Sequence, residues 1–314
     1  MNYILLDLEW DSAYFTKIHG FINEIVEFGA VKLSEDFNEI DRFNIIVRSS
    51  LTKKLSGRFK DLTGMTNEEM LSGVPFDEGL KMYKNWAGND TITLTWSDSD
   101  LYVLYDNCMY FTSSENNAQI GKYADLQKFF HAELAFFGKG EKNQLSLANA
   151  AKLIDVNIEE KTLHHAVDDS AISAEILKKC YNSARFPQFV HNTDNPDFYP
   201  RLRYKAHFIT DINNPLIDKR KLSVDCPVCQ NKAKRTSNWN SKGRWFVANY
   251  SCKECKKKYK GFVSFKKHYD RIDINTKAMT FEEIKKFKAE RKKAKEEKET
   301  LKSSQNIKGT ATAK

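Results

Sequence analysis

Two acids close a buried strand at the start of this chain. The run Tyr3-Ile4-Leu5-Leu6 is short, apolar and partly β-branched, and Asp7, Leu8 and Glu9 follow it directly. In a strand, side chains two apart share a face. Asp7 and Glu9 therefore point one way and Leu8 the other. Leu5, Leu6 and Leu8 mark the strand as buried, and like charges side by side on a buried strand cost stability unless something of opposite sign meets them. Taken alone, the pattern also fits a sheet edge with solvated acids.

Two later stretches supply further acids. In TWSDSDLYVL, Asp98 and Asp100 compete for one role. Ser97 and Asp100 also fit a capping box at a helix start. Leu101 and Leu104 follow Asp100 at the spacing of a buried helix face, which favours Asp100. In LHHAVDDSA, His164 and Asp169 precede an apolar helical pattern of Ala171, Ile172, Ala174, Ile176 and Leu177. A histidine just before a helix and an aspartate in its first turn can reach one cleft. The imidazole titrates in the range needed to accept a proton near neutral pH. The aspartate is a hard oxygen ligand suited to Mg²⁺ or Mn²⁺. The competing reading leaves Asp168 and Asp169 as complements of the helix N-terminus. Four carboxylates meeting at one point would require divalent cations.

The intervening pattern predicts how such residues come together. Residues 24–33 (EIVEFGAVKL) and 43–47 (FNIIV) read as strands which, with the first, form an antiparallel meander. Helical periodicity takes over around residues 66–87, and a strand at Thr91–Thr95 leads into Asp100. This alternation predicts an α/β domain with a mixed sheet.

The set LDLEW, EIVEFGAVKL, LTGMT, SDSDLYVL and HHAVDD resembles the DEDDh branch of the 3′-5′ exonuclease superfamily, the ribonuclease T and proofreading-exonuclease type. The resemblance covers about residues 1–185. It implies a ribonuclease H-like mixed sheet flanked by helices. It implies that Asp7, Glu9, Asp100 and Asp169 hold two Mg²⁺ or Mn²⁺ ions and that His164, with Ala166 and Asp169, forms the third motif. His164 rather than His165 stands five before Asp169, as that motif requires. The implied reaction is hydrolysis of the terminal phosphodiester, with His164 as general base and a nucleoside 5′-monophosphate as product. Leu62, Thr63, Gly64 and Met65 match a segment beside the terminal nucleotide, where Gly64 lets backbone approach closely. From physics alone the same residues also fit a turn capped by Thr66. The resemblance favours single-stranded RNA or short oligonucleotides over DNA.

A separate signal lies downstream. Cys226-Pro-Val-Cys229 and Cys252-Lys-Glu-Cys255 are two C-x-x-C pairs separated by 22 residues. Each pair presents two thiolates, and together they suit one tetrahedral, structural Zn²⁺. Residues 244–250 and 259–263 read as strands of a zinc ribbon. Disulfides are the competing reading. The N-terminus lacks the basic and apolar regions of a signal peptide, which predicts a cytoplasmic, reducing setting and favours zinc. Cys108 and Cys180 have no paired neighbours and read as core thiols.

Charge divides the chain. Residues 201–314 hold 31 Lys and Arg against 12 Asp and Glu, whereas residues 1–200 hold 19 against 30, a split hidden in the net +8. The basic part can recover phosphate affinity that the acidic part repels. Lys256, Lys257 and Lys258, beside Lys253 and Lys260, are the candidate substrate contacts there. Trp239, Trp245 and Tyr250 offer stacking surfaces, but a small ribbon needs at least two of them as core. The predicted organisation is an exonuclease domain over residues 1–185, a linker over 186–222, a ribbon over 223–268, a charged helix over 279–302 and a disordered tail over 303–314. The linker carries Pro187, Pro196, Pro200 and Pro215, and the helix opens on the capping box Thr280-Phe-Glu-Glu283. No apolar run is long enough to span a membrane. The expected partner is single-stranded nucleic acid. The alternative is a zinc-ribbon adaptor that binds nucleic acid or docks a protein through ribbon or tail, its nuclease activity secondary or lost.

Overall fold

The computed structural model describes residues 1–112, 114–141, 143–156 and 165–293 and divides into two compact units, Met1–Arg203 and Tyr204–Lys314. The first is the mixed α/β unit expected. Its strands β1 (Asn2–Phe15), β2 (Gly20–Leu33) and β3 (Glu39–Ile46) form the antiparallel meander. Strands β4 (Thr91–Thr95), β5 (Lys122–Asp125) and β6 (Val190–Asn192) complete one sheet of order β3-β2-β1-β4-β5-β6, in which β1, β4 and β5 are parallel. The helices are α1 (Gly57–Thr63), α2 (Asn67–Ser72), α3 (Phe76–Ala87), α4 (Ser99–Asn107), α5 (Leu126–Phe136), α6 (Leu147–Leu153), α7 (Ala166–Cys180) and α8 (Phe198–Arg203).

Period-two alternation in β1 sorts the two layers. Ile4, Leu6 and Leu8 pack with Phe76, Leu80 and Tyr83 of α3 and Leu101 and Leu104 of α4. Tyr3 and Leu5 pack on the other face with Leu126 and Phe129 of α5 and Ala174 and Leu177 of α7. Asp7 and Glu9 continue the second series, on the face that α7 covers. The helical stretch read over 66–87 is two helices, because Gly73 and Pro75 interrupt it.

The second unit is a small sheet over the cysteine pairs. Strands β7 (His207–Phe208), β8 (Lys234–Arg235), β9 (Asn240–Lys242), β10 (Trp245–Ser251), β11 (Lys258–Lys267) and β12 (Ile272–Thr280) join in the path β12-β11-β10-β8, with β7 on β11 and β9 on β10. Strands β10 and β11 cover the two predicted ribbon strands except for Arg244, which precedes β10, and β12 carries the sheet beyond residue 268. Tyr250 is core, Trp239 packs against that core, and Trp245 is half-buried against Phe262.

Residues 186–222, read as a linker, are divided between the units. Phe186 and Tyr199 are core residues of the first, and Ile209 and Ile217 of the second. Proline and asparagine punctuate this segment, but its aromatic and aliphatic anchors bury enough surface to fix it. Residues 281–293 are helical, and Thr280 and Glu283 exchange the capping-box hydrogen bonds. The remainder of the predicted charged helix, the tail and His164 lie outside the described residues. Among the described residues no helix is long and apolar enough to cross a membrane.

Candidate active site

The carboxylates gather beyond the point where β1 loses its parallel neighbour. Pairing with β4 ends at Leu5↔Leu94, so the Leu8 N–H on that edge has no strand partner. Asp100, in the first turn of α4 and 5% exposed, accepts that N–H at 3.1 Å through Oδ1. This anchors Asp100 between the positions of Asp7 and Glu9. Asp98 turns elsewhere: its Oδ2 lies 2.7 Å from Lys128 Nζ. No hydrogen bond of a Ser97–Asp100 capping box forms, and the N-cap is Asp98.

Asp169 arrives from the opposite layer in the first turn of α7. Carboxylate oxygens of Asp7, Glu9 and Asp169 lie within 4.8 Å of one another. Asp100 stands outside that trio, yet close enough to raise the Asp7 carboxyl, as burial does first and Asp169, Glu9 and Glu27 do as well. Burial, then Asp169, Glu27 and Asp100, pushes Glu9 up to about 8. Burial also raises Asp100 to about 7, against the Leu8 N–H that favours its charged form. Crowded acids that resist ionisation are the electrostatic mark of a cation site. Their hard oxygen donors fit a divalent ion such as Mg²⁺.

Close approach of α7 depends on a residue the sequence reading passed over. Gly29 pairs with Asp7 across β1 and β2, and a Cβ there would lie 2.1 Å from the Ala166 carbonyl carbon and the Val167 nitrogen. The bare glycine lets the N-terminus of α7 rest on the sheet. Ser170 Oγ donates to Gly29 O at 2.9 Å, and the buried Glu27, opposite Glu9, accepts the Ala166 N–H. A glycine in the interior of an apolar strand is the signal that was available in EFGAV. His165 is exposed, precedes α7 and accepts the Asp168 and Asp169 N–H groups through its carbonyl.

The remaining predicted site residues sit as follows. Gly64 ends α1 in a left-handed conformation (φ 74°), and Thr66 caps α2 in a capping box with Glu69. Thr63 and Met65 are buried, Met65 against Val26, Phe59 and Met70, while Leu62 is exposed. In the second unit the Sγ atoms of Cys226, Cys229, Cys252 and Cys255 lie within 4.8 Å of one another, with Cys226–Cys255 and Cys229–Cys252 at 3.5 Å. A disulfide needs about 2.05 Å, whereas the edge of a zinc–thiolate tetrahedron with bonds near 2.3 Å is about 3.8 Å. The two knuckles repeat each other. Cys226 N donates to Asn231 O and Cys252 N to Lys257 O, and Gln230 and Lys256 both take positive φ. Against burial, backbone N–H groups of Cys229 and Val228 help hold the Cys226 thiol down to about 7, and those of Cys255 and Glu254 help lower Cys252. Against the backbone N–H groups of Asn231 and Lys257, burial and the neighbouring thiols raise Cys229 and push Cys255 up to about 12. Such a donor set is compatible with zinc. Lys256, Lys257 and Lys258 are exposed beside the second knuckle.

The exonuclease family model (RNase_T) matches residues 14–177. This chain belongs to that family. The matched span holds Asp100 and Asp169, while Asp7 and Glu9 precede it and stand on the geometry above. The family implies a divalent metal. The chain is 31% identical over 93 residues to the probable 3′-5′ exonuclease KapD of Bacillus subtilis (strain 168), covering 29% of this chain and 44% of that protein. It is 26% identical over 192 residues to the PolC-type DNA polymerase III of Clostridium perfringens (strain 13 / Type A), covering 61% of this chain and 12% of that one. The chain thus spans less than half the length of either relative. Among solved structures, the nuclease domain of 3′hExo, a DEDDh family member bound to rAMP, is similar at a TM-score of 0.48 and 22% identity over 56% of this chain and 90% of that one.

Proposed function

We propose that the first unit is a metal-dependent 3′-5′ exonuclease releasing nucleoside 5′-monophosphates from single-stranded nucleic acid, with RNA or short oligonucleotides preferred over DNA. The observation that carries this reading is the meeting of Asp7, Glu9 and Asp169 within 4.8 Å in a member of the exonuclease family. Two Mg²⁺ or Mn²⁺ ions bound there supply Lewis acidity and lower the pKa of water. Asp7, Glu9, Asp100 and Asp169 are the carboxylates that would hold them. Asp100 holds its carboxylate at the open edge of β1 through the Leu8 N–H and completes the set. His164 serves as general base, at the place in the chain just before α7. Leu62, Thr63, Gly64 and Met65 border the terminal nucleotide, the left-handed Gly64 keeping that turn free of a side chain.

In the second unit, one structural Zn²⁺ sits among Cys226, Cys229, Cys252 and Cys255, and Lys256, Lys257 and Lys258 contact phosphates of the substrate. The test uses end-labelled single-stranded RNA and DNA, with Mg²⁺ or Mn²⁺, against an Asp7→Ala control. A ladder shortening from the 3′ end with the native chain and none with the variant is expected. Equal decay with both sinks the reading.

A further inference from the structure

Two neighbouring hollows in the second unit have one wall in common. The larger, about 790 Å³, lies between β8 and the second cysteine knuckle. Lys234 and Arg235 of β8 line it, together with Lys253, the residue after Cys252. Thr236, Asn238 and Ser251 add hydroxyl and amide groups, and no carboxylate lines it. The smaller, about 320 Å³, uses Arg235 again, with Lys219, Asn213 and Trp239. Ile212 and Leu222 supply its apolar part, and it too has no carboxylate in its lining.

Charge sets these hollows apart from their surroundings. Elsewhere in the unit Arg220 is held by Asp218 and Arg271 by Asp273. Among the described residues Lys234, Arg235 and Lys253 have no carboxylate partner. Three like charges converging on one concavity focus a positive potential there. Arg235 also lies over the Trp239 ring, 5.8 Å from its centroid, and the buried Tyr250 meets that ring edge-on at 6.1 Å. The core of the unit thus fixes a ring that lines the smaller hollow. Ser251 joins the region to the lysines of the second knuckle, pairing with Lys234 on β8 and with Lys258 on β11. Residues paired across neighbouring strands share a face, so Lys234, Ser251 and Lys258 form one row.

We propose that the two hollows together bind single-stranded nucleic acid, as a site on the second unit independent of the carboxylate cluster. A backbone phosphate lies among Lys234, Arg235 and Lys253, and a base of the same strand stacks on Trp239. Arg235 serves both, since a guanidinium matches phosphate as a planar fork and stacks on rings. The proposal rests on the reading of the chain as a nuclease of single strands whose second unit contacts phosphates. Inorganic phosphate and mononucleotides share the phosphate chemistry. The aromatic hollow next door favours the strand, because a lone ion has no use for a ring. Stacking needs an open π-face, so Trp239 selects single strands over duplexes without selecting sequence.

The assay is fluorescence anisotropy of a 5′-labelled single-stranded decanucleotide, titrated across a range of salt with the full-length Asp7→Asn chain, which leaves the strand intact. Adding Lys234→Gln, Arg235→Gln and Lys253→Gln together should reduce the salt slope of binding by about 2, at ~0.7 per single-strand phosphate contact. Adding Lys285→Gln, Lys286→Gln and Lys288→Gln instead removes the same charge from exposed helical positions and should leave the slope unchanged. Trp239→Leu should raise Kd roughly five- to hundredfold, the range carried by one stacked base, and Trp239→Phe, which keeps a ring, should restore most of the affinity. Zinc content and circular dichroism establish that each variant folds. An unchanged slope in the first triple variant, an equal fall in both triples, or native affinity in a folded Trp239→Leu chain overturns the proposal. So does displacement of the strand by inorganic phosphate beyond the effect of chloride at equal ionic strength, which would assign the larger hollow to the free ion. Hydrolysis is read separately, with Asp7 restored. A chain that shows these binding losses but never hydrolyses would refute the exonuclease reading and leave this site standing. A hydrolysing chain whose binding ignores the same substitutions would do the reverse.

Discussion

Replacing Gly29 by alanine tests the geometry from its narrowest point. Ordinary carbon contacts need about 3.5 Å, and the new Cβ would sit 2.1 Å from two backbone atoms of α7, so helix and sheet must part by roughly 1.4 Å. Overpacking of this kind costs ~1–3 kcal/mol of stability. The functional cost is greater, because Asp169 rides on the displaced turn while Asp7 stays on β1, directly opposite the substituted residue. A displacement of about 1 Å at a catalytic constellation lowers turnover by about a hundredfold. Gly29→Ala should therefore lose about two orders of magnitude in kcat/KM on an end-labelled oligonucleotide and need more Mg²⁺ for half-maximal rate. Ser170→Ala removes only the hydrogen bond to Gly29 O, worth ~1 kcal/mol, and should keep activity within a few fold. Urea titrations followed by circular dichroism establish that both variants fold. A folded Gly29→Ala chain within threefold of native activity would refute the reasoning, since the sheet would then have yielded without moving Asp169.

Other outcomes follow from the same structure. Glu9, pushed up to about 8 from 4.5, and Asp100, pushed up to about 7, hold protons in the folded state that the unfolded chain releases, so metal-free stability should fall as pH rises between about 4.5 and 8. Saturating Mg²⁺ should flatten that slope by displacing the protons, and equal urea midpoints at pH 5 and pH 8 in EDTA would contradict it. Asp7→Asn should abolish hydrolysis yet raise the metal-free Tm at pH 8, because it removes one member of a repelling set; a lowered Tm would count against the cluster. Native mass spectrometry should find one Zn²⁺ per chain, lost in Cys229→Ser; a metal-free native chain would remove the ribbon assignment. Neutralising Lys256, Lys257 and Lys258 together should reduce the salt slope of oligonucleotide binding by about 2, at ~0.7 per single-strand phosphate contact, and an unchanged slope would assign the knuckle to another role.

What was legible in the sequence was whatever depends on local periodicity. Asp7 and Glu9 share a face because strands repeat every two residues, and the capping box at Thr280 forms because its two partners are three apart. The burial of Asp100 in α4 also followed from local pattern, through the apolar positions after it. Strand β5 escaped because Lys-Tyr-Ala-Asp has no alternation of its own and takes its place from pairing with β4 and β6. The boundary at residue 203 escaped for a related reason. Proline density predicts irregular backbone but not where that backbone packs, and Tyr199 is buried against residues about eighty to a hundred positions away, donating to Ala118 O and facing Tyr105 across 4.9 Å. Gly29 was visible as a residue, but its reason lies in a helix 137 residues later.

The two donor sets have opposite relations to the folds that hold them. The carboxylates sit on a sheet whose core is complete without them: the clusters on both faces of β1 are aliphatic and aromatic, and the acids only add repulsion when no cation is present. A divalent ion there offsets a cost and can exchange without unfolding the unit. The thiols are themselves part of the core. Cys226 and Cys252 are fully buried among Val224, Tyr250 and Tyr259, in a unit whose apolar cluster is small and whose 204–314 segment carries 29 basic residues against 12 acidic. Self-repulsion among those cations acts against compactness, and a bound Zn²⁺ supplies folding free energy directly. Chelation should then act at two levels, a weak chelator silencing the carboxylate site while the second unit stays folded, and a strong one unfolding that unit. The order follows from ligand chemistry, since thiolates hold Zn²⁺ far more tightly than carboxylates hold Mg²⁺.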